Sequence, residues 1–232
     1  MTSVSLYLLY MPYNKAAVHP AAEPRPGSSR PYHSDRRAQA ASDTRTRILH
    51  SAMRLFLHSG YGKVTVGDIA HEANVAVPTV YASTGGKSAI LATLIDEAMR
   101  DPVVDATLAA VRRCHTADDA IRTLAHGVRV DNERYHNMIE VMKTAAAIDD
   151  SATSILERSD RIYQRALGQV VPRLRELDGL QPGLSTQQAV DILWFYLGHH
   201  AWHLLATQRH WSWDTAEQWL ADQATTALCR RV

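Results

Sequence analysis

Residues 47–94 read RILHSAMRLFLHSGYGKVTVGDIAHEANVAVPTVYASTGGKSAILATL, and this stretch predicts four short helices in succession. In the first helix, Ile48, Ala52 and Phe56 recur at the spacing of one helix face, so the helix is amphipathic. Gly60 is expected to end it, because glycine adopts a left-handed cap conformation without strain.

The second and third predicted helices are separated by a turn of only a few residues. Thr65 is placed to cap the second helix, and Asp68 completes a capping-box pattern three residues later. Asn74 can supply the positive φ that a tight turn between crossed helices needs. Pro78 then lies in the first turn of the third helix, where its missing N–H costs nothing. A fourth helix from Lys87 completes a helix-turn-helix unit of the kind that reads DNA.

In these residues the chain resembles the N-terminal domain of the tetracycline-repressor (TetR) family of bacterial transcriptional regulators. The match is ordered and ungapped, and it consists of Arg47-Ile48-Leu49, Ala52, Leu55-Phe56, Gly60-Tyr61, Thr65-Val66, Asp68-Ile69-Ala70, Ala73, Val75, Thr79-Val80-Tyr81 and Lys87. The chain departs from the family pattern at Asn74, where the family usually has glycine. It also departs at Ser83-Thr84, where the family usually has an aromatic pair centred on His-Phe.

The residues expected to face base edges lie near the start of the third helix or on its exposed side: Ala76, Val77, Pro78, Thr79 and Ser83. Most of them are apolar, so few bidentate contacts with bases are expected. Methyl contacts with thymine from Val77 and Thr79, and a hydroxyl bond from Ser83, fit these side chains better.

Contacts with the DNA backbone are implied by the resemblance for Thr65, Tyr81 and Lys87. Candidates for a basic arm that lies along the backbone or in the minor groove are Arg36, Arg37, Arg45 and Arg47, with a solvated tail favoured for Arg36 and Arg37. The alternative for Tyr81 is a core position, and the alternative for Lys87 is a solvated surface position.

The 232 residues divide into three parts by composition and pattern. Residues 1–42 are rich in Pro, Ser, Ala and Arg and cannot bury enough apolar surface to offset their ordering entropy, which predicts a disordered extension. Residues 43–100 form the helix-turn-helix DNA-binding domain. Residues 101–232 form a helical ligand-binding and dimerisation domain. Because strand signals are scarce, the fold class is all-α.

Charge is unevenly distributed along the chain, although the net charge is only +1. Residues 1–100 hold 11 Lys and Arg against 7 Asp and Glu, whereas residues 101–232 hold 14 against 17. The positive excess therefore accompanies the reading helices, where phosphates would be met.

Cys114 and Cys229 lie far apart without a ligand pattern, which indicates reduced thiols in a cytoplasmic, nucleoid-associated protein. The apolar run VSLYLLYM at residues 4–11 is too short to span a membrane, and no basic residue precedes it. It is therefore expected to be neither a signal peptide nor an anchor, and no membrane partner is predicted.

Longer helices are predicted in the C-terminal part, over residues 105–114, 117–130, 132–148 and 151–177. Pro172 is expected to kink or break the last of these. Residues 189–206, AVDILWFYLGHHAWHLLA, carry one formal charge, so this helix is expected to be buried on every side. A final helix follows from Trp213.

The last two helices are expected to pair with their copies across a two-fold axis, as a four-helix interface. The resembled family also dimerises through its last two helices. The residues predicted for this interface are Leu197, His200, Leu204, Trp219, Leu220 and Ala224.

The C-terminal domain also holds a set of large side chains suited to a pocket between helices: Tyr135, Met138, Met142, Tyr163, Trp194, Tyr196 and Trp202. Pockets of this kind are mostly apolar with a few polar groups, which predicts a small aromatic or lipophilic effector. Core packing is the alternative for each of these residues.

Metal binding and catalysis are the competing classes. His199 and His203 share a helix face and His200 is adjacent. Apart from Asp191 two turns back, no Cys, Asp or Glu lies nearby at ligand spacing, so interface histidines are favoured and no metal or cofactor is predicted. No phosphate loop, nucleophile elbow or carboxylate pair stands out. Cys114 and His115 are sequence neighbours whose side chains diverge on a helix. The chain is therefore not expected to be an enzyme.

Taken together, the sequence predicts a homodimer on a palindromic, inverted-repeat operator in double-stranded DNA, and the resemblance implies that it acts as a ligand-responsive repressor. The alternatives left open are an activator on the same scaffold and an effector-independent DNA-binding or architectural protein.

Overall fold

Helices carry the whole fold of this computed structural model, which describes the backbone of residues 31–230 and the side chains of residues 35–230. The α-helices are α1 (Pro31–Ser59), α2 (Val66–Glu72), α3 (Val77–Thr84), α4 (Lys87–Ala98), α5 (Val103–Arg113), α6 (Ala117–Ala146), α7 (Asp150–Gly168), α8 (Val171–Glu176), α9 (Thr186–Leu197), α10 (His199–Trp202) and α11 (Trp213–Leu228). Among the described residues the only β-pairing is one isolated bridge between Leu180 and Cys229. The all-α fold class is therefore confirmed.

The chain separates into two compact units, one ending at Leu94 and one beginning at Ile95. In the first unit, α1 buries Ile48, Ala52 and Phe56 against the short helices that follow it. The Phe56 ring packs at a centroid distance of 5.0 Å against Tyr61, which lies in a short 3₁₀ turn. The amphipathic face predicted for the first helix is thus the core of the first unit.

Helix α1 begins at Pro31, whereas the sequence predicted a disordered extension over residues 1–42. Residues 35–43 are exposed along this helix, so no packed face holds them. Arg, Gln and Ala are strong helix formers, and the buried half of α1 supplies a nucleus onto which they propagate without a new nucleation cost. Residues 1–30 lie outside the described residues.

Helix α6 is one continuous helix of 30 residues, where the sequence predicted two helices meeting near Asp131. Asn132 does not end it, because its side-chain amide donates to the carbonyl of Val128 at 2.9 Å within the helix. No proline or glycine interrupts the junction, so the helix continues through it.

The segment predicted over residues 151–177 is broken into α7 and α8, and Pro172 lies in the first turn of α8. The predicted helix over 189–206 is also broken, since α9 ends at Leu197. A Cβ at Gly198 would lie 2.4 Å from the Trp194 carbonyl oxygen, so the chain turns there in a way that only glycine fits. Phe195 is 63% exposed, which corrects the prediction that this segment is buried on every side.

The core of the second unit lies between α5, α6, α7, α9 and α11. Trp202, Leu193 and Ile121 are among its fully buried side chains, and Trp202 stacks on Trp213 at a centroid distance of 5.9 Å. Between residues 31 and 230, no helix combines the length and the apolar character that crossing a membrane requires.

Helices α5 and α6 approach so closely that a side chain has no room at Gly127. A Cβ there would lie 2.0 Å from Oγ1 and 2.7 Å from Cβ of Thr107. We expect Gly127→Ala to lower the free energy of unfolding by about 1–3 kcal/mol through overpacking, despite alanine's better helix propensity. The matched control is Gly168→Ala, whose Cβ would meet Val190 at an ordinary 3.6 Å. Urea unfolding of the full chain measures both, and equal stability of the two variants would contradict the clash.

Candidate functional site

The turn between α2 and α3 is built by the residues that the sequence assigned to it. Thr65 caps α2: its Oγ1 accepts from the Asp68 amide at 3.1 Å, and its own amide donates to the Asp68 carboxylate at 2.8 Å. Asn74 has a φ of 52°, and Pro78 lies in the first turn of α3. The predicted helix-turn-helix geometry is therefore present.

Helix α3 presents its N-terminal half to solvent. Its buried side chains are Val80 and Thr84. The exposed residues at its start are Ala76, Val77, Pro78 and Thr79, and Tyr81 is 55% exposed one turn later. The core position considered for Tyr81 is thus wrong. Ala76 is the N-cap and makes no side-chain capping bond. Pro78 has no N–H and the Thr79 amide donates to the Ala76 carbonyl at 2.9 Å, so among the described residues the Val77 amide is the first-turn donor left to an anion.

Lys87 contacts Tyr61 within the first unit. Its Nζ donates to the Tyr61 carbonyl at 2.9 Å and lies 4.2 Å from the centroid of the Tyr61 ring. The side chain is half-buried. Lys87 is therefore not a merely solvated surface residue, which was the alternative. A phosphate bound by Lys87 would share its ammonium group with the Tyr61 carbonyl and ring.

Arg45 and Ser83 are linked at the far end of α3. The Arg45 guanidinium donates to the Ser83 carbonyl at 2.5 Å and to Thr93 Oγ1 at 3.3 Å. It therefore ties α3 and α4 to α1 and fixes the position of the end of α3. Arg47 is exposed on the next part of α1 and donates to Thr44 Oγ1 at 3.5 Å.

A mostly apolar cavity of about 140 Å³ lies within the second unit. Its walls come from the last turn of α4, from α5, α6 and α7, and from His199 at the start of α10. The lining residues are Ile95, Ala98, Met99, Val103, Val104, Thr107, Leu108, Leu124, Gly127, Val128, Asp131, Tyr135, Met138, Ile139, Met142, Ser159, Ile162, Tyr163, Ala166, Leu167 and His199.

Four of the side chains predicted for a pocket line this cavity, namely Tyr135, Met138, Met142 and Tyr163. Trp194, Tyr196 and Trp202 do not line it, which corrects the prediction. Trp202 is 1% exposed in the core and donates to the Leu197 carbonyl at 3.2 Å. Trp194 packs edge-on behind Tyr163 at a centroid distance of 5.3 Å. Tyr196 packs edge-on against Phe195.

One end of the cavity carries a hydrogen-bonded chain of polar groups. Tyr163 donates its hydroxyl to the Leu197 carbonyl at 2.9 Å, and the Asn132 amide nitrogen lies 3.4 Å from that hydroxyl. His199 Nδ1 lies 2.9 Å from Asn132 Oδ1. Burial lowers the pKa of His199 to about 4, so its imidazole is neutral at neutral pH and donates from Nδ1.

Asp131 also lines the cavity, and sequence reasoning missed it together with His199. Burial, followed by the nearby charge of Asp101, raises the pKa of Asp131 to about 7, against a smaller opposing effect of Arg134. The signal in the sequence was its spacing, since Asp131 lies four and seven residues before Tyr135 and Met138 on one face of α6.

The residues predicted for the dimer interface divide into two groups. Leu197, Leu220 and Ala224 are at most 1% exposed within their own subunit, so they cannot contact a partner and are corrected to core residues. His200, Leu204 and Trp219 are exposed. Large apolar side chains also exposed on this part of the chain are Phe195 and Trp211, and Trp211 packs edge-on against Trp219.

The three neighbouring histidines point to separate partners. His199 contacts Asn132, and His200 Nε2 lies 2.9 Å from the Phe195 carbonyl oxygen. His203 Nδ1 lies 2.5 Å from Glu140 Oε1. Within residues 31–230, no group of three or more His, Cys, Asp or Glu is placed to hold a metal ion.

Comparison with known proteins bears on both sites. Residues 48–94 match the family model described as "Bacterial regulatory proteins, tetR family", which covers the helix-turn-helix from α1 to α4. A comparison with curated protein sequences gave no significant match.

Several solved structures share this fold, and the alignment with this chain covers nearly the whole length of each of them. FadR from Bacillus subtilis, in complex with stearoyl-CoA, has a TM-score of 0.65 at 16% identity over 78% of this chain and 98% of that one. NalD, the secondary repressor of the MexAB-OprM multidrug efflux pump in Pseudomonas aeruginosa, has a TM-score of 0.66 at 19% identity over 84% and 100%. SmeT in complex with triclosan has a TM-score of 0.65 at 20% identity over 81% and 92%. At these identities the likeness shows a shared fold.

Proposed function

We propose, since this chain belongs to the tetR family of bacterial regulatory proteins, that it represses transcription by holding an operator with α3 and releases it when a small ligand binds. The observation that carries the proposal is the exposed N-terminal half of α3, which is held outward by the capped α2 and the turn at Asn74. An exposed helix start of this kind fits the major groove.

Contact with DNA would come mainly from small and apolar side chains. Val77 and Thr79 are exposed at the start of α3 and are suited to thymine methyl groups. Tyr81, Thr65 and Arg47 are exposed around them and are proposed to bond phosphate oxygens. Lys87 would add its charge from a fixed position over Tyr61, and Ser83 would donate from its hydroxyl while its carbonyl is held by Arg45.

A homodimer on an inverted repeat is the second part of the proposal. The side chains of Phe195, Leu204, Trp211 and Trp219 are exposed, Phe195 packs beside His200 and Trp211 against Trp219, and we propose that they form the surface that pairs with a copy of itself. Two reading helices separated by one DNA turn, about 34–36 Å, would then require an operator with two-fold symmetry.

Ligand response is the third part. The cavity is lined by apolar side chains with a few polar groups, as small-molecule sites are. Relatives of the same fold are described with triclosan and with stearoyl-CoA. The last turn of α4 lines the cavity and the same helix starts at Lys87, so a bound ligand would act on a helix that also belongs to the reading domain. The ligand can shift the equilibrium only as far as its affinities for the two states differ.

The test is footprinting of the purified full chain on fragments of its source genome, followed by a titration of the protected fragment. We expect protection of an inverted repeat that is bound by two chains. In the cell, such a protein would be cytoplasmic and associated with the nucleoid. Reporter expression with and without the regulator distinguishes a repressor from an activator. Protection of DNA without any repeat, with affinity unchanged by every ligand, would favour an architectural protein and contradict the proposal.

A further inference from the structure

The cavity holds one titratable group whose hydrogen-bonding capacity is unused. Tyr135 donates its hydroxyl to Asp101 at 2.6 Å, Tyr163 donates to the Leu197 carbonyl, and His199 contacts Asn132. Asp131, on the same cavity wall, has no hydrogen bond or ion pair among the described residues. An unpaired carboxyl group in an apolar cavity is unusual, because burying it without a partner costs free energy.

Arg134, the cation on the same helix whose charge lowers the pKa of Asp131, does not fill this role. Its Nη1 donates to the Asp101 carboxylate at 2.5 Å, and the Asp101 side chain is 2% exposed. The other titratable groups facing Asp131 are Tyr135 on α6, Tyr163 on α7 and Asp101 in the loop before α5. His199 completes the set from α10. None of these supplies a positive charge to Asp131 at neutral pH.

We propose that the ligand of this cavity carries a protonated amine on a small apolar or aromatic body, with the ammonium group bound by Asp131. The inference rests on the proposed ligand response of the chain and names the chemical class of the ligand. An ammonium group would supply the missing donor and form a charge-assisted hydrogen bond. The rings of Tyr135 and Tyr163 in the same wall would favour a cation further.

The size of the cavity limits the rest of the ligand. A volume of about 140 Å³ is close to that of an engineered apolar cavity in another protein, about 150 Å³, which holds benzene. A single ring with a short amine-bearing chain therefore suits the site. The side chains of Met138 and Met142 in its wall are flexible enough to adjust to a larger body.

Protonation gives the binding a pH dependence of known sign. Below the Asp131 pKa of about 7, an ammonium ligand must first displace the carboxyl proton, and above it no proton is released. Affinity should therefore rise with pH between 6 and 8, by up to about tenfold per pH unit below the pKa. His199 stays neutral over this range, and burial raises the pKa values of Tyr135 and Tyr163 away from it.

The test compares three probes that share a phenyl ring on a two-carbon chain and differ in the terminal group, on the full chain: phenethylamine, 2-phenylethanol and 3-phenylpropionate. Calorimetry at pH 6, 7 and 8 should give the amine an affinity about 10- to 100-fold above that of the alcohol at pH 8, and the carboxylate the weakest binding. Asp131→Asn should remove the preference for the amine and its pH dependence. This variant should fold, because it removes an unpaired buried charge. The control Asp105→Asn changes the same charge at an exposed position outside the cavity and should bind as the unmodified chain does.

Equal affinity for the amine and the alcohol, the strongest binding by the carboxylate, or full amine binding by Asp131→Asn would each overturn the proposal. The proposed role as a DNA-binding regulator is tested separately, by measuring the affinity for the operator in the absence of probes. If the amine binds as expected but leaves operator affinity unchanged, the amine site stands and the ligand response fails. If the operator binds but the amine does not, the amine site fails alone.

Discussion

Replacing Ala76 with aspartate is expected to stabilise helix α3 and to weaken DNA binding by about 100-fold in the same variant. Ala76 is the N-cap of α3, with φ −74° and ψ 147°, and it offers no side-chain acceptor to the amides of the first turn. Aspartate in this backbone conformation can accept from the Thr79 amide, since Pro78 before it has no N–H, and a side-chain cap in place of alanine contributes about 1 kcal/mol. Its negative charge is also favourable at the helix N-terminus.

The same charge opposes DNA, because the start of α3 is the part proposed to enter the groove. A carboxylate there repels phosphate oxygens and also takes up the Thr79 amide at the helix start. A repulsion of about 1.5 kcal/mol at each of two half-sites corresponds to a loss of affinity of about 100-fold. Few surface substitutions are expected to move stability and function so far in opposite directions.

The matched control is Ala76→Asn, which caps the helix as well as aspartate does but adds no charge. Thermal unfolding should place both variants above the unmodified chain, whereas a DNA titration at low salt should separate them. Weakened binding by Ala76→Asn to the same degree would mean that shape, and not charge, decides the effect. Unchanged binding by Ala76→Asp would mean that this end of α3 does not approach DNA.

The features that the sequence predicted well depend on residues within a few positions of each other. The capping box joins Thr65 to Asp68, and the turn at Asn74 needs only the positive φ of a single residue. Such local rules act in the same way whatever packs around them. The helix-turn-helix of α2 and α3 was therefore largely predictable from residues 47–94.

The features that the sequence missed depend on which neighbour lies opposite. Phe195 and Leu197 are two positions apart on α9, yet one is 63% exposed and the other fully buried. Trp219 and Leu220 divide in the same way on α11. Both sets fit an apolar face, and only tertiary packing decides which side meets the core of the subunit.

Aromatic composition is equally ambiguous between a cavity wall and a core. Trp202 and Tyr163 both donate to the Leu197 carbonyl, but Trp202 is buried in the core whereas Tyr163 lines the cavity. The polar residues of the cavity were harder still. Asp131 was placed at the junction of two supposed helices, so its alignment with Tyr135 on one continuous helix became visible only with the structure.

Removing the Asp101 carboxylate is expected to cost the second unit about 3–5 kcal/mol of unfolding free energy. One oxygen of Asp101 accepts from Arg134 at 2.5 Å and from the Tyr135 hydroxyl at 2.6 Å, and the other accepts from the Val103 amide at 2.9 Å. In Asp101→Ala all three donors lose their partner, and the guanidinium is left without its counter-charge in a half-buried position. Breaking a buried pair from one side is costly for this reason.

The control for this prediction is Asp105→Ala, four residues further on, where the aspartate is exposed in the first turn of α5. It removes the same charge and should cost less than about 1 kcal/mol, because only a helix-end charge is lost. Urea unfolding of the full chain at pH 7, followed by tryptophan fluorescence, measures both variants, since all five Trp lie in the second unit. A similar cost for the two would contradict the role of the Asp101 bonds.

The dependence of this effect on pH has a definite sign. Burial alone would raise the pKa of Asp101, but the bonds from Tyr135, the Val103 amide and Arg134 together hold it below its ordinary value. A carboxyl with a lowered pKa stabilises the fold above its unfolded value of about 4 and loses that contribution as the pH falls. The gap between the unmodified chain and Asp101→Ala should therefore be full at pH 6 and shrink below pH 4. Because the Asp101 charge also raises the pKa of Asp131, Asp101→Ala should shift the pH at which amine binding strengthens to a lower value.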